Sequence, residues 1–177
     1  MKTIAETGEI MQLGFVPKNK DIALEFWTKT IGAGPFYIID NVTFQNAYFR
    51  GVKADIEISA AIGYWGSLQI ELIWQHGDAP SVYTEWRNAG GEGLHHICLV
   101  TSDIAAAREN FERAGADIVQ YGSVGEGLKF FYADTGGGAG TMTEVIQLSE
   151  EIAAAFDGIK AASIGWNGED PIRHLAM

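Results

Sequence analysis

The chain has 177 residues, 47% of them hydrophobic, with 12 Lys and Arg against 23 Asp and Glu for a formal charge of -11 at pH 7. That is enough apolar material for a packed core, in one ordinary domain or two small repeated modules. The acidic balance, with no basic cluster anywhere, excludes nucleic acid and anionic membrane surfaces as partners.

Met1 to Ile10 carries charges of both signs and no apolar run, so it does not read as a signal peptide. No stretch is long and apolar enough to span a bilayer. The single cysteine, Cys98, leaves no intrachain disulfide to form, suits a cytoplasmic location, and reads as a small buried hydrophobe inside an apolar strand.

Glu9 to Val16 has the pattern of a strand, broken by Pro17 and Asn19. A helix follows, with Asp21 as capping residue, an apolar stripe of Ile22, Phe26 and Ile31, and a stop at Gly32, Gly34 and Pro35. Extended character then runs over Phe36 to Asp40, over Asn46 to Gly51 continued by Ile56 to Tyr64, and over Leu68 to Trp74, and this half reads β-α-β-β-β. Val82, Trp86 and Ala89 predict a short connecting helix that ends on Gly90 and Gly91. The order then repeats: a strand over Leu94 to Val100, a helix over Asp103 to Ala114 stopped by Gly115, and strands over Ile118 to Tyr121, Leu128 to Ala133 and Met142 to Leu148.

The two halves match in register as well as in order. Gln12-Leu13-Gly14-Phe15-Val16 lines up with His96-Ile97-Cys98-Leu99-Val100, and Leu68-Gln69-Ile70-Glu71-Leu72-Ile73 with Thr141-Met142-Thr143-Glu144-Val145-Ile146. Each last strand therefore carries a carboxylate in its middle. A buried acid costs several kcal/mol unless it is paired or bound to a cation, and the alternative for either one is an edge strand facing water. In a regular strand His95 and His96 point to opposite faces, and alternation does not say which is buried. Pseudo-twofold packing of the halves brings Gln12, Glu71, His96 and Glu144 to one point. Three oxygen ligands and an imidazole suit a divalent cation and leave positions open for a substrate.

The paired modules, the Gly-Leu-His-His-Ile run over Gly93 to Ile97 and the mid-strand Glu144 resemble the vicinal oxygen chelate superfamily, from about Ile10 to Leu148. That superfamily includes glyoxalase I, methylmalonyl-CoA epimerase, bleomycin-resistance proteins and ring-cleaving dioxygenases. The resemblance implies an α+β fold of two paired βαβββ modules in a glyoxalase-like incomplete barrel. It places one such domain over 1–150, with modules at about 9–76 and 92–149, and a C-terminal helix and tail over 151–177. It also implies that Gln12, Glu71, His96 and Glu144 hold one divalent ion, zinc, manganese, cobalt, nickel or iron. The epimerase branch points to His96 of the two histidines, and Gln12 stands where histidine is usual, as in some glyoxalase I enzymes. The implied chemistry is isomerase, epimerase or lyase, through an enolate stabilised by the metal, with Glu144 as base and Glu71 as ligand or second proton carrier. A homodimer is implied too.

The substrate reads as a small carbonyl compound of apolar or aromatic character. Only Arg50, Lys53, Arg87 and Lys129 fall near candidate pocket segments, whereas Trp27, Phe36, Tyr37, Phe44, Tyr48, Phe49, Tyr64, Trp65 and Trp74 are available to line one or to fill the core. Gly122 to Gly127 and Gly136 to Gly140 read as hairpin turns. Glu150 to Ala162 reads as a helix, Trp166 to Arg173 as an irregular tail with an aromatic anchor, and His76 and His174 as surface residues. A binding protein that sequesters an aromatic ligand without chemistry is the second reading. A ring-cleaving dioxygenase ranks lowest, because its sites resemble two histidines and one carboxylate.

Overall fold

The protein is described by a computed structural model covering residues 3–175. The outermost two positions at either end of the ranges read above lie outside the described residues. The first half comprises β1 (Ile10–Val16), α1 (Lys20–Glu25) running on as a π-helical segment over Phe26–Ile31, β2 (Phe36–Thr43), β3 (Gln45–Phe49), β4 (Val52–Lys53), β5 (Glu57–Trp65) and β6 (Leu68–His76). Then come α2 (Val82–Asn88), β7 (Gly93–Val100), α3 (Ile104–Arg113), β8 (Asp117–Val124), β9 (Leu128–Asp134), β10 (Met142–Leu148), α4 (Glu150–Ser163) and β11 (Ile172–His174).

Local chemistry sets the helix ends. Asn19 caps α1, its side-chain oxygen accepting from the backbone nitrogens of Asp21 and Ile22 at 3.0 Å. The cap is thus two residues before Asp21, whose carboxylate sits in the first turn, near the positive end of the helix dipole. Asp103 caps α3 in the same way, through Ala105 and Ala106. Gly32 and Gly115 follow their helices with φ of +75° and +87°, a conformation that an L side chain resists.

All strands belong to one sheet in the order β11-β2-β5-β6-β1-β7-β10-β9-β8-β3-β4. β1 and β7, the first strands of the two halves, run antiparallel at its centre, and each is flanked by the last strand of its own half, β6 and β10, in parallel. Helices cover the outer face. Leu24 and Trp27 pack on Phe36, Ile70 and Leu72, while Ala107 and Phe111 pack on Phe131 and Val145. Because Ile70, Leu72 and Val145 are taken by these outer layers, strand alternation turns Gln69, Glu71 and Glu144 to the inner face.

One strand leaves its half. The segment read as Asn46 to Gly51 is the β3–β4 hairpin, and it pairs with β8 of the second half instead of with β2 or β5. β2 ends at Thr43 and β3 begins at Gln45, so Phe44 alone joins two strands that stand far apart in the sheet order. The sheet curls around an interior that holds Val16, Phe44, Ile58, Ile73, Tyr83, Cys98, Phe130 and Tyr132, and no ladder joins β2 to β3. The C-terminal tail is also more ordered than its composition indicates. After α4 the chain returns as β11, parallel to β2, and Arg173 donates to the Tyr37 hydroxyl at 2.9 Å. No described helix is long and apolar enough to cross a membrane.

Candidate metal centre

The register of the four central strands builds the site. Two alternate rungs, two residues apart, cross β6, β1, β7 and β10: Gln69, Gln12, Cys98 and Glu144 form one, and Glu71, Gly14, His96 and Met142 form the other. A twofold axis between the rungs exchanges Gln12 with His96, Glu71 with Glu144, Gly14 with Cys98 and Gln69 with Met142. The pairs matched in sequence are therefore the pairs related in space. Neither acid lies on an edge strand: β6 and β10 each have neighbours on both sides, and the Glu71 and Glu144 side chains are only 14% and 11% exposed. The water-facing alternative is thereby overturned.

Ligand-type atoms of Glu71, His96 and Glu144 all lie within 4.8 Å of one another. His96 Nε2 stands 3.3 Å from Glu144 and 3.6 Å from Glu71. It nevertheless has no hydrogen-bond partner, although the residue is fully buried. Burial works against an imidazolium here, but the two carboxylates outweigh it and carry His96 up to about 9. Burial raises Glu71 above the ordinary carboxylate range, and the charge of Glu144 adds to this while His96 opposes it. Two carboxylates converging on one unpartnered nitrogen away from water is an arrangement that a divalent cation satisfies.

Gln12 is also buried, with its amide oxygen unpartnered. Its nitrogen donates to the Gln69 oxygen, and Gln69 in turn donates to the Tyr64 hydroxyl at 2.8 Å. This chain holds the amide nitrogen and leaves the oxygen, an acceptor-only atom, without a partner, on a residue two positions along β1 from the Gly14 that pairs with His96. The donor set of Gln12, Glu71, His96 and Glu144 thus fits a borderline cation by chemistry, and Glu71, His96 and Glu144 fit it by placement as well.

The adjacent histidines do not alternate. Gly14 pairs with His96 and Phe15 with Leu94, so His95 is the extra residue of a β-bulge. Both imidazoles are buried, and their Nδ1 atoms are 3.0 Å apart. His95 sits among the rings of Tyr83, Trp86 and Tyr132, with centroids 5.7, 5.5 and 6.2 Å away. Burial, and then the charge of His96, lowers its pKa to about 3.

Above the two glutamates is a cavity of about 380 Å³. Ile39, Phe44, Ile62, Tyr83, Phe130 and Tyr132 line it, and Ile152, Phe156 and Ile159 of α4 close one side. Its charged lining residues, among those described, are Glu71, Glu144 and Glu151. None of the four cations singled out in the sequence reaches it; Arg50 is held by Glu85 and Asp117 on the outside. Of the aromatics listed from the sequence, Phe44 is the one that lines it, whereas Trp27 and Phe36 fill the outer layer and Trp65 is exposed.

Sequence reasoning missed Tyr83, Tyr132 and the structural part of Gly14. The hydroxyls of the two tyrosines meet at 2.8 Å, and burial raises both pKa values well above 10. Tyr132 could have been found, because the β9–β10 hairpin sets it directly opposite Glu144. Tyr83 lies on a connecting helix and carried no such signal. His76 and His174 are surface residues with partners of their own, Ser59 at 2.8 Å and Asp40 at 3.3 Å.

This curled sheet, with acids and imidazole at its pseudo-twofold, defines a class. Residues 11–132 match the family described as the Glyoxalase/Bleomycin resistance protein/Dioxygenase superfamily, and the chain belongs to it. Solved structures share the fold at low identity. A hypothetical protein from Bacillus halodurans is 15% identical with a TM-score of 0.59, over 81% of this chain and 96% of that one. Methylmalonyl-CoA epimerase from Mycobacterium tuberculosis is 16% identical at 0.56, over 87% and 95%. The Streptomyces coelicolor methylmalonyl-CoA epimerase, in complex with 2-nitronate-propionyl-CoA, is 16% identical at 0.53, over 81% and 96%. No curated protein matches the sequence.

Proposed function

We propose that this protein is a cation-dependent enzyme that moves a proton at a carbon beside a carbonyl, as an isomerase, epimerase or lyase. The observation that carries the reading is the convergence of Glu71, Glu144 and the unpartnered Nε2 of His96 at one side of a largely apolar cavity. Gln12, Glu71, His96 and Glu144 would hold the ion, whether zinc, manganese, cobalt, nickel or iron. When bound, it supplies Lewis acidity to a substrate oxygen. Glu144 takes the proton from the neighbouring carbon, and Glu71 is its counterpart on the other side of the twofold axis, available as ligand or second proton carrier. The tyrosine pair has two O–H groups and one mutual hydrogen bond, so one hydroxyl hydrogen remains to donate to a substrate oxygen in the cavity.

The lining sets the substrate class. A phosphate- or carboxylate-bearing carrier such as coenzyme A or glutathione needs cations, and the charged side chains that line the cavity, among the described residues, are all carboxylates. A small, uncharged, apolar or aromatic carbonyl compound fits instead. The apolar lining also supports the second reading, sequestration of such a ligand without chemistry. A dioxygenase-type set of two histidines and one carboxylate is disfavoured, since Gln12 stands at the first position and Glu71 and Glu144 supply two carboxylates beside the single imidazole of His96.

Elemental analysis of dialysed protein, wild type beside His96→Ala and Glu144→Ala, tests the site. About one divalent ion per chain, lost in both variants, supports it. Solvent-deuterium exchange into carbonyl compounds with an acidic C–H then separates the enzyme from the binding protein. A wild type that takes up none of the five metals sinks the cation-dependent reading.

A further inference from the structure

His95 is buried and is assigned no part in the reading above. Two ring nitrogens 3.0 Å apart must share one hydrogen, since two lone pairs or two N–H groups would repel. The question is which ring owns it. His95 lies in an aromatic box formed by Tyr83, Trp86 and Tyr132. His96 turns its other nitrogen, Nε2, to Glu144 at 3.3 Å and Glu71 at 3.6 Å, where the proposed cation would take its lone pair. A neutral imidazole has one N–H. With its Nε2 lone pair turned to the carboxylates, His96 carries that hydrogen on Nδ1, and His95 Nδ1, 3.0 Å away, is the lone pair that accepts it. The shared hydrogen therefore belongs to His96.

We infer that His95 is a positioning residue: it accepts a hydrogen bond from His96 Nδ1–H and so fixes the tautomer that directs the His96 Nε2 lone pair between Glu71 and Glu144. Three observations hold it in place. The β-bulge at His95 puts two consecutive side chains on one side of the strand, where alternation would separate them. Helix α2 supplies Tyr83 and Trp86 as walls, and it is anchored by Ser81 capping and by the Val82 nitrogen donating to Gln120 at 3.0 Å. Gly91, just before β7, leaves room for the Trp86 ring, which a Cβ there would overlap. Histidines that bind metals almost always donate through the other ring nitrogen, usually to a carboxylate, carbonyl or water. Here the acceptor is a second, neutral imidazole. The hydrogen-bond direction and its consequence for cation binding both rest on the proposed function.

The test uses the full chain labelled with ¹⁵N at histidine, first without metal. The hydrogen between the rings should show its one-bond coupling to His96 Nδ1 and a smaller coupling across the hydrogen bond to His95 Nδ1. This assignment is the same whether His96 is neutral or charged. His95→Phe keeps a ring in the aromatic box but removes the acceptor, and zinc affinity should fall about 10- to 100-fold with the fold retained by circular dichroism. His95→Asn, whose Oδ1 falls near the position of Nδ1, should recover most of that loss. The inference is overturned if the hydrogen is bonded to His95, or if folded His95→Phe binds zinc as tightly as wild type. A wild type that binds no zinc defeats the proposed function, while the nitrogen couplings still decide the direction of the bond.

Discussion

Gly14 and His96 face each other across the β1–β7 ladder, and the imidazole fills the space that a side chain at position 14 would occupy. A Cβ built on Gly14 would overlap His96 Cε1 and Nε2. On its other side Gly14 pairs with Glu71, so the missing side chain is what lets an imidazole from β7 approach a carboxylate from β6 across an intervening strand. Gly14→Ala should displace His96, weaken zinc binding at least tenfold and cost about 1–3 kcal/mol of stability, as overpacking does. Zinc titration and urea unfolding of the same preparation check both effects.

Glu144→Gln keeps the shape of the proposed base and removes its proton affinity. Deuterium exchange into a responsive carbonyl compound should slow by about 10²- to 10⁴-fold. The variant should still fold, since neutralising one of two neighbouring buried acids relieves repulsion. Exchange at the wild-type rate would move the base assignment to Glu71.

The tyrosine pair gives a double-mutant cycle. Tyr83→Phe or Tyr132→Phe alone leaves a buried hydroxyl without its partner, at about 1–3 kcal/mol. The double variant should be more stable than the sum of the single losses indicates, because no orphan remains. Urea midpoints of the four proteins measure the coupling.

Acid stability of the metal-free protein should depend on His95. Its folded pKa of about 3 lies below the ordinary 6.5, so the unfolded chain binds the proton first. The stability contributed by neutral His95 is complete above pH 6.5 and is lost as pH falls towards 3. His96 has the opposite sign: at about 9 it contributes below pH 6.5 and loses that contribution as pH rises through 9. His95→Phe should therefore flatten the acid limb of the unfolding profile by up to about 1.4 kcal/mol per pH unit. An unchanged acid limb would place the lability elsewhere.

Ala155 lines the cavity from α4 yet is exposed on the helix. Ala155→Trp should fill the cavity, abolish binding of an apolar ligand and leave the metal content at the wild-type value. Fluorescence titration with an aromatic ketone, beside elemental analysis, checks the separation.

The fold was legible because both halves write the same pattern, and the meeting of Glu71, His96 and Glu144 because a repeat in register sets its matched positions about a twofold axis. What escaped was set by irregularities. The His95 bulge breaks the period-two rule on which any single-strand reading rests, and nothing within β7 signals it; the cause lies in its pairing with β1. The destination of β3 was hidden for a related reason, since a five-residue strand specifies its own conformation but not its partner. The cavity aromatics were misjudged because aromatic content is a property of composition, whereas facing inward depends on where Phe44, Phe130 and Tyr132 fall in the ladder.

The β3–β4 hairpin changes what the repeat means physically. A strand encoded in the first half completes the outer flank of the second, while the link at Phe44 ties it back to β2. Severed near Ala89, the first half would carry a ribbon with nothing to hydrogen-bond, and the second would present β8 as a bare edge open to aggregation. The duplication has thereby become an interlock. Heat or denaturant should melt the halves in a single cooperative transition, and neither could be lost, swapped or inherited without the other.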